Sequence, residues 1–468
     1  MPRGDEKGGD MGIAGADRGR GLTRRGFLQG SAKVAAAAGI FTLVPRHVLG
    51  GPGQKPPSER LNIAGIGVGG RGLGDLKSLD GENIVALCDV DMRHAASAFK
   101  EYPNARQHTD FRKMLDAEKE IDAVVVATPD HLHAVISIAA MKMGKHVYCE
   151  KPMAHTVQEV RAMREAARTH KVATQMGNQG NAGEGVRLLE EWIQDGAIGP
   201  VREVHAWTNK PVWPQGIDRP QDKPPVPPTL DWDLWHGPAP ERPYHPAYLP
   251  FTWRGWWDFG SCSLGDMGCH VLNNVVRPLK LGPPTSVEAY STKVNAETGP
   301  LASIIYYQFL ARDDMPPLRL TWYDGGMMPP RPEELENERR MGDNEGVLFV
   351  GDKGKITCSC YGDGPRIIPE SKMQEYRRPP KTIPRSIGHH KEWVEACKGG
   401  PPAGSNFEAA GPLTEIVLLC NVAIRAAASQ PENGRPVKIE WDAANMGIPN
   451  RPEANRFLSK PYRKGWSL

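Results

Sequence analysis

Cysteine, net charge and long apolar runs are what this sequence has least of. Eight cysteines in 468 residues, none of them in a C-x-x-C pair, are too few and too scattered for a disulfide scaffold in so long a chain. Lys and Arg number 58 against 55 Asp and Glu, a net charge of +3. That balance excludes a strongly basic nucleic-acid binder and an acidic disordered tail, so no nucleic-acid partner is expected. The longest apolar run near the N-terminus, residues 34–44, counts 11 with its Gly and Thr, short of the ~20 that a membrane-crossing helix needs. What is present is ordinary globular composition, 39% hydrophobic and 24% charged, in a length that allows roughly two to four domains.

The cellular compartment has to be read from the N-terminus. A polar, Gly- and Arg-rich stretch leads into Thr23, Arg24, Arg25, Gly26, Phe27 and Leu28 and then into the alanine-rich apolar run. This order resembles a twin-arginine export signal, the rival explanation being an amphipathic helix with a chance Arg pair. A Pro/Gly-rich linker, 50–58, follows, and no small-x-small cleavage site is evident. The expectation is an exported protein, periplasmic or at the cell surface, handled by the twin-arginine machinery and able to stay tethered by an uncleaved signal. That route carries folded proteins, so a cofactor bound in the cytoplasm can travel inside. Residues 1–60 hold 10 Lys/Arg and 5 Asp/Glu, leaving 48 against 50 in the remainder, so the small positive excess belongs to the leader.

From Leu61 short apolar runs alternate with helix-like stretches, with strands expected near 61–66, 84–88, 121–127, 146–150 and 172–176. That is a βαβ series, which implies parallel strands joined by helices. The first strand runs into Gly65, Ile66, Gly67, Val68, Gly69 and Gly70, a G-x-G-x-x-G turn. Such glycines allow a tight turn and close approach of the backbone to a pyrophosphate at the start of the next helix. Asp89 closes the second strand 24 residues after Gly65, where a carboxylate accepts hydrogen bonds from a ribose diol and repels a 2′-phosphate. NAD is therefore favoured over NADP, with Arg93 the one nearby cation arguing the other way.

The fourth strand leads into Thr128, Pro129, Asp130, His131, Leu132 and His133, and the next into Glu150, Lys151 and Pro152. Both segments should lie outside the carboxyl ends of the sheet, where ligands of open α/β sheets bind. The glycine turn, Thr-Pro-Asp-x-x-His and Glu-Lys-Pro together resemble the Gfo/Idh/MocA oxidoreductases, the group that contains glucose-fructose oxidoreductase and inositol dehydrogenase. The likeness covers about 400 residues from Arg60 onward. It implies a cofactor bound by Gly65, Gly67, Gly70, Arg71, Asp89, Thr128, His133, Glu150 and Lys151, with Lys151 beside the nicotinamide and the substrate hydroxyl. A partly desolvated ammonium there should have a lowered pKa, which suits proton exchange with an alcohol. His133 is expected to contact the cofactor or start a helix, and His131 to be structural.

After Gly177 the alternation stops. A helical stretch, 185–195, precedes longer strands near 201–210, 285–294, 303–311 and 317–323 and a hairpin over 346–361 that turns around Gly351, Asp352, Lys353 and Gly354. Helices are expected near 389–398 and 407–428. The resulting fold class is α/β: a Rossmann dinucleotide-binding domain at 59–177 after the signal and linker of 1–58, then an α+β domain at 178–468 with a large, mostly antiparallel open sheet. Residues 211–250 contain 12 prolines, and seven tryptophans fall between 207 and 257. This stretch, 211–257, cannot be regular helix or strand and reads as an ordered insertion held by aromatic packing. Its indoles either line a carbohydrate site or pin the loop down.

The insertion ends before Asp266 and His270, four residues apart and hence on one face of a helix starting near Leu264. They resemble the family's Asp-x-x-x-His pair, which implies that His270 exchanges the hydroxyl proton while Asp266 orients it. Asn273 and Asn274 stand where many members carry an Asp, which bears on substrate identity. His389 and His390 lack partners at metal-ligand spacing, and no metal is expected. Cys358 and Cys360 share a strand face where a disulfide would be strained, so free thiols are expected. Cys262 and Cys269 are expected to be buried and apolar.

The resulting expectation is an exported oxidoreductase with tightly held NAD, passing hydride between nicotinamide and a secondary hydroxyl of a sugar, cyclitol or glycoside. Lys151 and His270 would handle the proton and Asp266 would support His270. The resemblance also implies a homo-oligomer paired through its open sheets. Two other functions fit the same residues: a glycosidase that oxidises a ring carbon transiently, eliminates the aglycone and re-reduces the sugar, or a sugar-binding protein on a catalytically dead scaffold.

Overall fold

In the computed structural model, residues 59–342, 344–429 and 436–468 are described. The expected export signal and linker, 1–58, lie outside them.

Two sheets organise residues 61–468. The first has six strands, β1 (Asn62–Ile66), β2 (Asn83–Cys88), β3 (Arg106–His108), β4 (Ala123–Val126), β5 (His146–Glu150) and β6 (Thr174–Gly177). Their order is β3-β2-β1-β4-β5-β6 with every pairing parallel. Parallel strands covered on both faces read as continuous apolar runs, and β4, Ala-Val-Val-Val, is buried throughout. Between them run α1 (Arg71–Lys77), α2 (Ala96–Glu101), α3 (Phe111–Ala117), α4 (Asp130–Lys142) and α5 (Val157–His170). The α5 start is set by a capping box in which the Thr156 side chain accepts from the Glu159 N–H and the Glu159 side chain accepts from the Thr156 N–H. The strand order reverses between β1 and β4, so the crevice for a ligand opens there.

The second sheet holds β7 (Val201–Thr208), β8 (Ser286–Ser291), β9 (Ser303–Phe309), β10 (Leu318–Tyr323), β11 (Glu345–Gly351), β12 (Lys355–Cys358), β13 (Arg366–Ile368) and β14 (Val437–Glu440). Its order is β13-β12-β11-β7-β10-β9-β8-β14, antiparallel except where β10 meets β7. The expected hairpin is β11 with β12. Three short strands, β3, β13 and β14, each only three or four residues long, were not among the expected strands. The helices here are α6 (Glu184–Gln194), α7 (Trp232–His236), α8 (Cys262–Val271), α9 (Asn273–Val276), α10 (Glu370–Glu375), α11 (His389–Cys397) and α12 (Phe407–Ala428). Only α12, among the described helices, is long and apolar enough to cross a membrane, and 83% of its apolar window is buried inside the protein. It packs against α5, α8 and β8 and so joins the two sheets through one core.

The Pro/Trp-rich insertion is ordered around an apolar cluster rich in aromatic rings, with Leu230, Trp235, Tyr248, Trp253, Trp256 and Phe259. Trp232 stacks on Trp235 with centroids 5.0 Å apart. Five of the seven indole N–H groups are used within the protein: Trp207 to Gly342 O, Trp213 to Gln215, Trp232 to Arg242 O, Trp256 to Ala247 O and Trp257 to Asn295 O. These five pin the chain in place. All eight cysteines are free, and seven, including Cys262, Cys269, Cys358 and Cys360, are buried.

Eight imidazoles, those of His131, His146, His155, His205, His236, His270, His389 and His390, are held below the ordinary histidine value, first of all by burial. The folded values are about 4 for His236 and His390 and about 3 for His270 and His389. In the unfolded chain these groups bind protons near pH 6.5. Their contribution to stability is therefore complete above that pH and is lost as the pH falls toward the folded values. Asp75, Asp324 and His133, raised to about 6, 7 and 10, act in the opposite direction over this range. They are fewer than the lowered imidazoles, so the urea midpoint at pH 5 is expected to lie below that at pH 7.5, and equal midpoints would contradict this.

Candidate active site

The glycine turn between β1 and α1 forms the floor of the crevice. Gly67 has φ +77°, and a Cβ there would stand 2.8 Å from the Ala127 carbonyl carbon. Only glycine lets β1 and β4 end this close together. Asp89, one residue past β2, accepts from the Val68 and Gly69 N–H groups at 2.9 and 3.2 Å and from Asp91 N–H at 3.0 Å. A carboxylate has about four lone-pair positions, so one remains for a ligand hydroxyl. Burial raises the Asp89 pKa above the ordinary carboxylate value, against the lowering by these N–H donors.

A cavity of about 240 Å³ lies over this turn. Gly67, Gly70, Arg71, Asp89 and Thr128, five of the nine expected cofactor residues, line it, and Arg93 does not. The Thr128 hydroxyl is buried without a hydrogen-bond partner among the described residues. An open glycine turn, an acceptor and an orphaned hydroxyl fit the phosphates and ribose of a dinucleotide.

The other four residues support the site from outside the cavity. Gly65 lets Leu76 of α1 pack onto β1, since a Cβ would meet it at 2.9 Å. Glu150, itself buried, accepts from Arg71 Nε at 3.1 Å and Gln179 Nε2 at 3.0 Å. His133 does not face the cofactor crevice as expected. Its Nδ1 lies 2.7 Å from Pro152 O and its Nε2 2.8 Å from Thr128 O, so it ties the two motif loops together. Burial works against its charge, but Cys149, Asp130 and the Pro152 carbonyl outweigh burial and bring the ring to about 10. His131 is structural, between Phe259 O and Trp235 O.

Lys151 follows β5, and its Nζ donates to Asp266 Oδ1 and to Asp266 O, each at 2.7 Å. Arg254 Nε reaches the same Oδ1 at 3.0 Å. Here the structure corrects two expectations. Asp266 is engaged by Lys151 and Arg254, with no hydrogen bond to His270, because the α8 turn that carries it faces the Glu-Lys-Pro loop and the insertion. Lys151 is also not lowered: burial acts in that direction, but Asp266 and Glu150 outweigh it and raise the ammonium above the ordinary lysine value. The same two cations hold the Asp266 carboxyl well below the usual carboxylate range despite its burial.

His270 lies on α8, which starts at Cys262 rather than Leu264. Its ring meets the Tyr361 ring at 5.0 Å, and burial together with Lys151 lowers it to about 3, so it is neutral. His270 Nδ1 is buried without a partner among the described residues, as is Asn273 Nδ2 three residues on. Asn273 Oδ1 accepts from Asn178, and Asn274 is used structurally by Cys360 O at 2.6 Å. His389 and His390 start α11 and bond Met176 O and Asp75. Among the described residues no group of three or more His, Cys, Asp or Glu could hold a metal.

Sequence reasoning missed Arg254 and Phe251, and left Trp253 among the indoles that either line a site or pin the loop. They close the cavity from the insertion, and the Arg254 guanidinium stacks over Trp253 at 4.3 Å and Phe251 at 4.6 Å. A cation within an aromatic run was the available signal.

Residues 60–178 match the model of an oxidoreductase family described as an NAD-binding Rossmann fold, and residues 194–298 match that family's C-terminal alpha/beta domain. Levoglucosan dehydrogenase from Pseudarthrobacter phenanthrenivorans is 36% identical over 115 residues, 25% of this chain and 29% of that protein. A glycosyl hydrolase family 109 protein from Shewanella pealeana is 31% identical over 204 residues, 38% of this chain and 44% of that one. The chain spans less than half the length of these curated relatives. The WlbA dehydrogenase from Bordetella pertussis, solved with NADH and UDP-GlcNAcA, superposes with a TM-score of 0.55 at 18% identity, over 82% of this chain and all of that one, and so shares the fold.

The ion cluster generates a direct test. In Asp266→Asn, Lys151 faces Arg254 without the intervening anion, so its pKa should drop below the wild-type value. NMR titration of the 13C-dimethylated Lys151 amine reads this, and an unchanged titration would contradict the geometry.

Proposed function

We propose, on the premise that the chain belongs to the Gfo/Idh/MocA oxidoreductase family, that it is an NAD-dependent dehydrogenase acting on a secondary hydroxyl of a sugar, cyclitol or glycoside. The observation that carries this reading is a charged Lys151 near a neutral His270 whose buried Nδ1 has no partner, with Lys151 tied through Asp266 to Arg254, which lines the glycine-floored cavity. NAD bound in that cavity supplies the hydride acceptor. Gly67, Gly70, Asp89 and Thr128 would hold it. Lys151, kept protonated by Asp266, donates a hydrogen bond to the substrate oxygen and stabilises its developing negative charge. His270, neutral at working pH, accepts the hydroxyl proton, and Asn273 Nδ2 offers a further donor to a neighbouring hydroxyl. Asp266 and Arg254 act as positioning residues for Lys151. The levoglucosan dehydrogenase relative supports a carbohydrate substrate.

The likeness to the glycosyl hydrolase family 109 protein supports a second reading, in which the oxidised ring eliminates an aglycone, adds water across the resulting double bond and is then re-reduced. Release of aglycone with no net change in NADH distinguishes it from accumulation of a keto-sugar.

Lys151→Met should lower turnover roughly 10²- to 10⁴-fold, the usual worth of a proton-handling group, while denaturing either protein still releases NAD into the supernatant. Full activity in the variant would sink the assignment of Lys151. The reading extends to export with the cofactor already bound, directed by Arg24 and Arg25. Replacing both with Lys should leave the protein in the cytoplasmic fraction, and unchanged fractionation would rule this out.

A further inference from the structure

Segment 460–468 lies far along the chain from the cofactor turn, yet it reaches the same cavity. Trp466 lines that cavity with Phe111, Leu132 and Ile136. The indole is 6.2 Å from the Phe111 ring, and the Arg112 guanidinium lies over it at 4.8 Å. Phe111 starts α3 just after β3, the strand beside β2, so this apolar end lies past Asp89 as seen from the glycine turn. Leu132 and Ile136 are one turn apart on α4 and face it from the other side. A ligand whose ribose hydrogen-bonds Asp89 and whose phosphates sit on the glycine turn has its remaining flat, apolar group at this end. For a dinucleotide that group is the purine.

The segment is fastened at three places. Arg463 donates to Asp233 O and Gly237 O of the insertion, each at 3.0 Å, and pairs with the Asp233 carboxylate. Lys460 Nζ donates to His131 O at 3.2 Å, and Lys142 Nζ donates to Leu468 O at 2.9 Å. It thus straps the insertion to α4, and Trp466 stands between these anchors.

We propose that Trp466 forms the outer wall of the slot for the purine ring of the dinucleotide, and that the strap of residues 460–468 sets how fast the cofactor leaves. This rests on the reading that the cavity holds NAD. Aromatic stacking on a base is worth enough to change dissociation by roughly 10- to 100-fold when the ring is removed. The strap also gives a physical route to tight retention, since the ring must swing out, or the anchors release, before the purine can leave.

The test is a stopped-flow chase of bound NADH by excess NAD, read by nicotinamide fluorescence, on the full chain. Trp466→Ala and Arg463→Ala should each release NADH faster, Trp466→Ala by about 10- to 100-fold, while Trp466→Phe stays near the wild-type rate. ADP-ribose, which retains the purine, should lose affinity in Trp466→Ala in the same proportion as NADH. If wild-type protein binds NADH but these variants release it at the wild-type rate, the proposal is overturned and the cofactor reading stands. If wild-type protein binds no NADH, both fall. If Trp466→Ala fails to fold, Arg463→Ala carries the same comparison.

Discussion

One buried carboxylate holds the candidate site together. Asp266 is contacted by Lys151 from the loop after β5 and by Arg254 from the insertion, and its side chain is only 13% exposed. Lys151, more than a hundred residues earlier in the sequence, and Arg254, twelve residues before Asp266, meet at one oxygen. Attraction between charges is strong where water is scarce, and leaving one member of a buried pair alone costs about 3–5 kcal/mol. The cluster therefore fixes the position of the Lys151 ammonium relative to α8, and through α8 the position of His270.

The same burial acts in opposite directions on two neighbouring groups. Desolvation disfavours the charged form of both Lys151 and His270. Lys151 has a carboxylate at 2.7 Å and stays charged, whereas His270 has a cation nearby and no hydrogen bond to Asp266, so it stays neutral. Groups whose environments push them apart can divide acid and base roles in one site. In the proposed reaction that division depends on Asp266 having turned toward the lysine.

The insertion shows how a segment denied regular structure becomes rigid. Its prolines remove backbone donors and fix φ, so the stretch is ordered by the ring stacking and the indole hydrogen bonds of its own cluster. Most of its tryptophans are consumed in that work. What remains facing the crevice is Trp235, Trp253, Phe251 and Arg254, which cover the cofactor end of the cleft.

The parallel sheet, the glycine turn and the acceptor at Asp89 were all legible in the sequence, because they depend on local patterns: apolar runs for strands buried on both faces, glycine where φ is positive, a carboxylate at a strand end. The roles expected of Lys151 and His270 came only from the family likeness. The direction of the Lys151 pKa, the partner of Asp266 and the inward placement of His133 were not, because each is set by groups more than a helix turn away in sequence. Arg254 and Trp466 belong to the same class. Local sequence thus determined which elements form and which chemistry is available. Tertiary structure decided which charges face each other, since electrostatic energy follows distance in space and burial, and neither can be read from order along the chain.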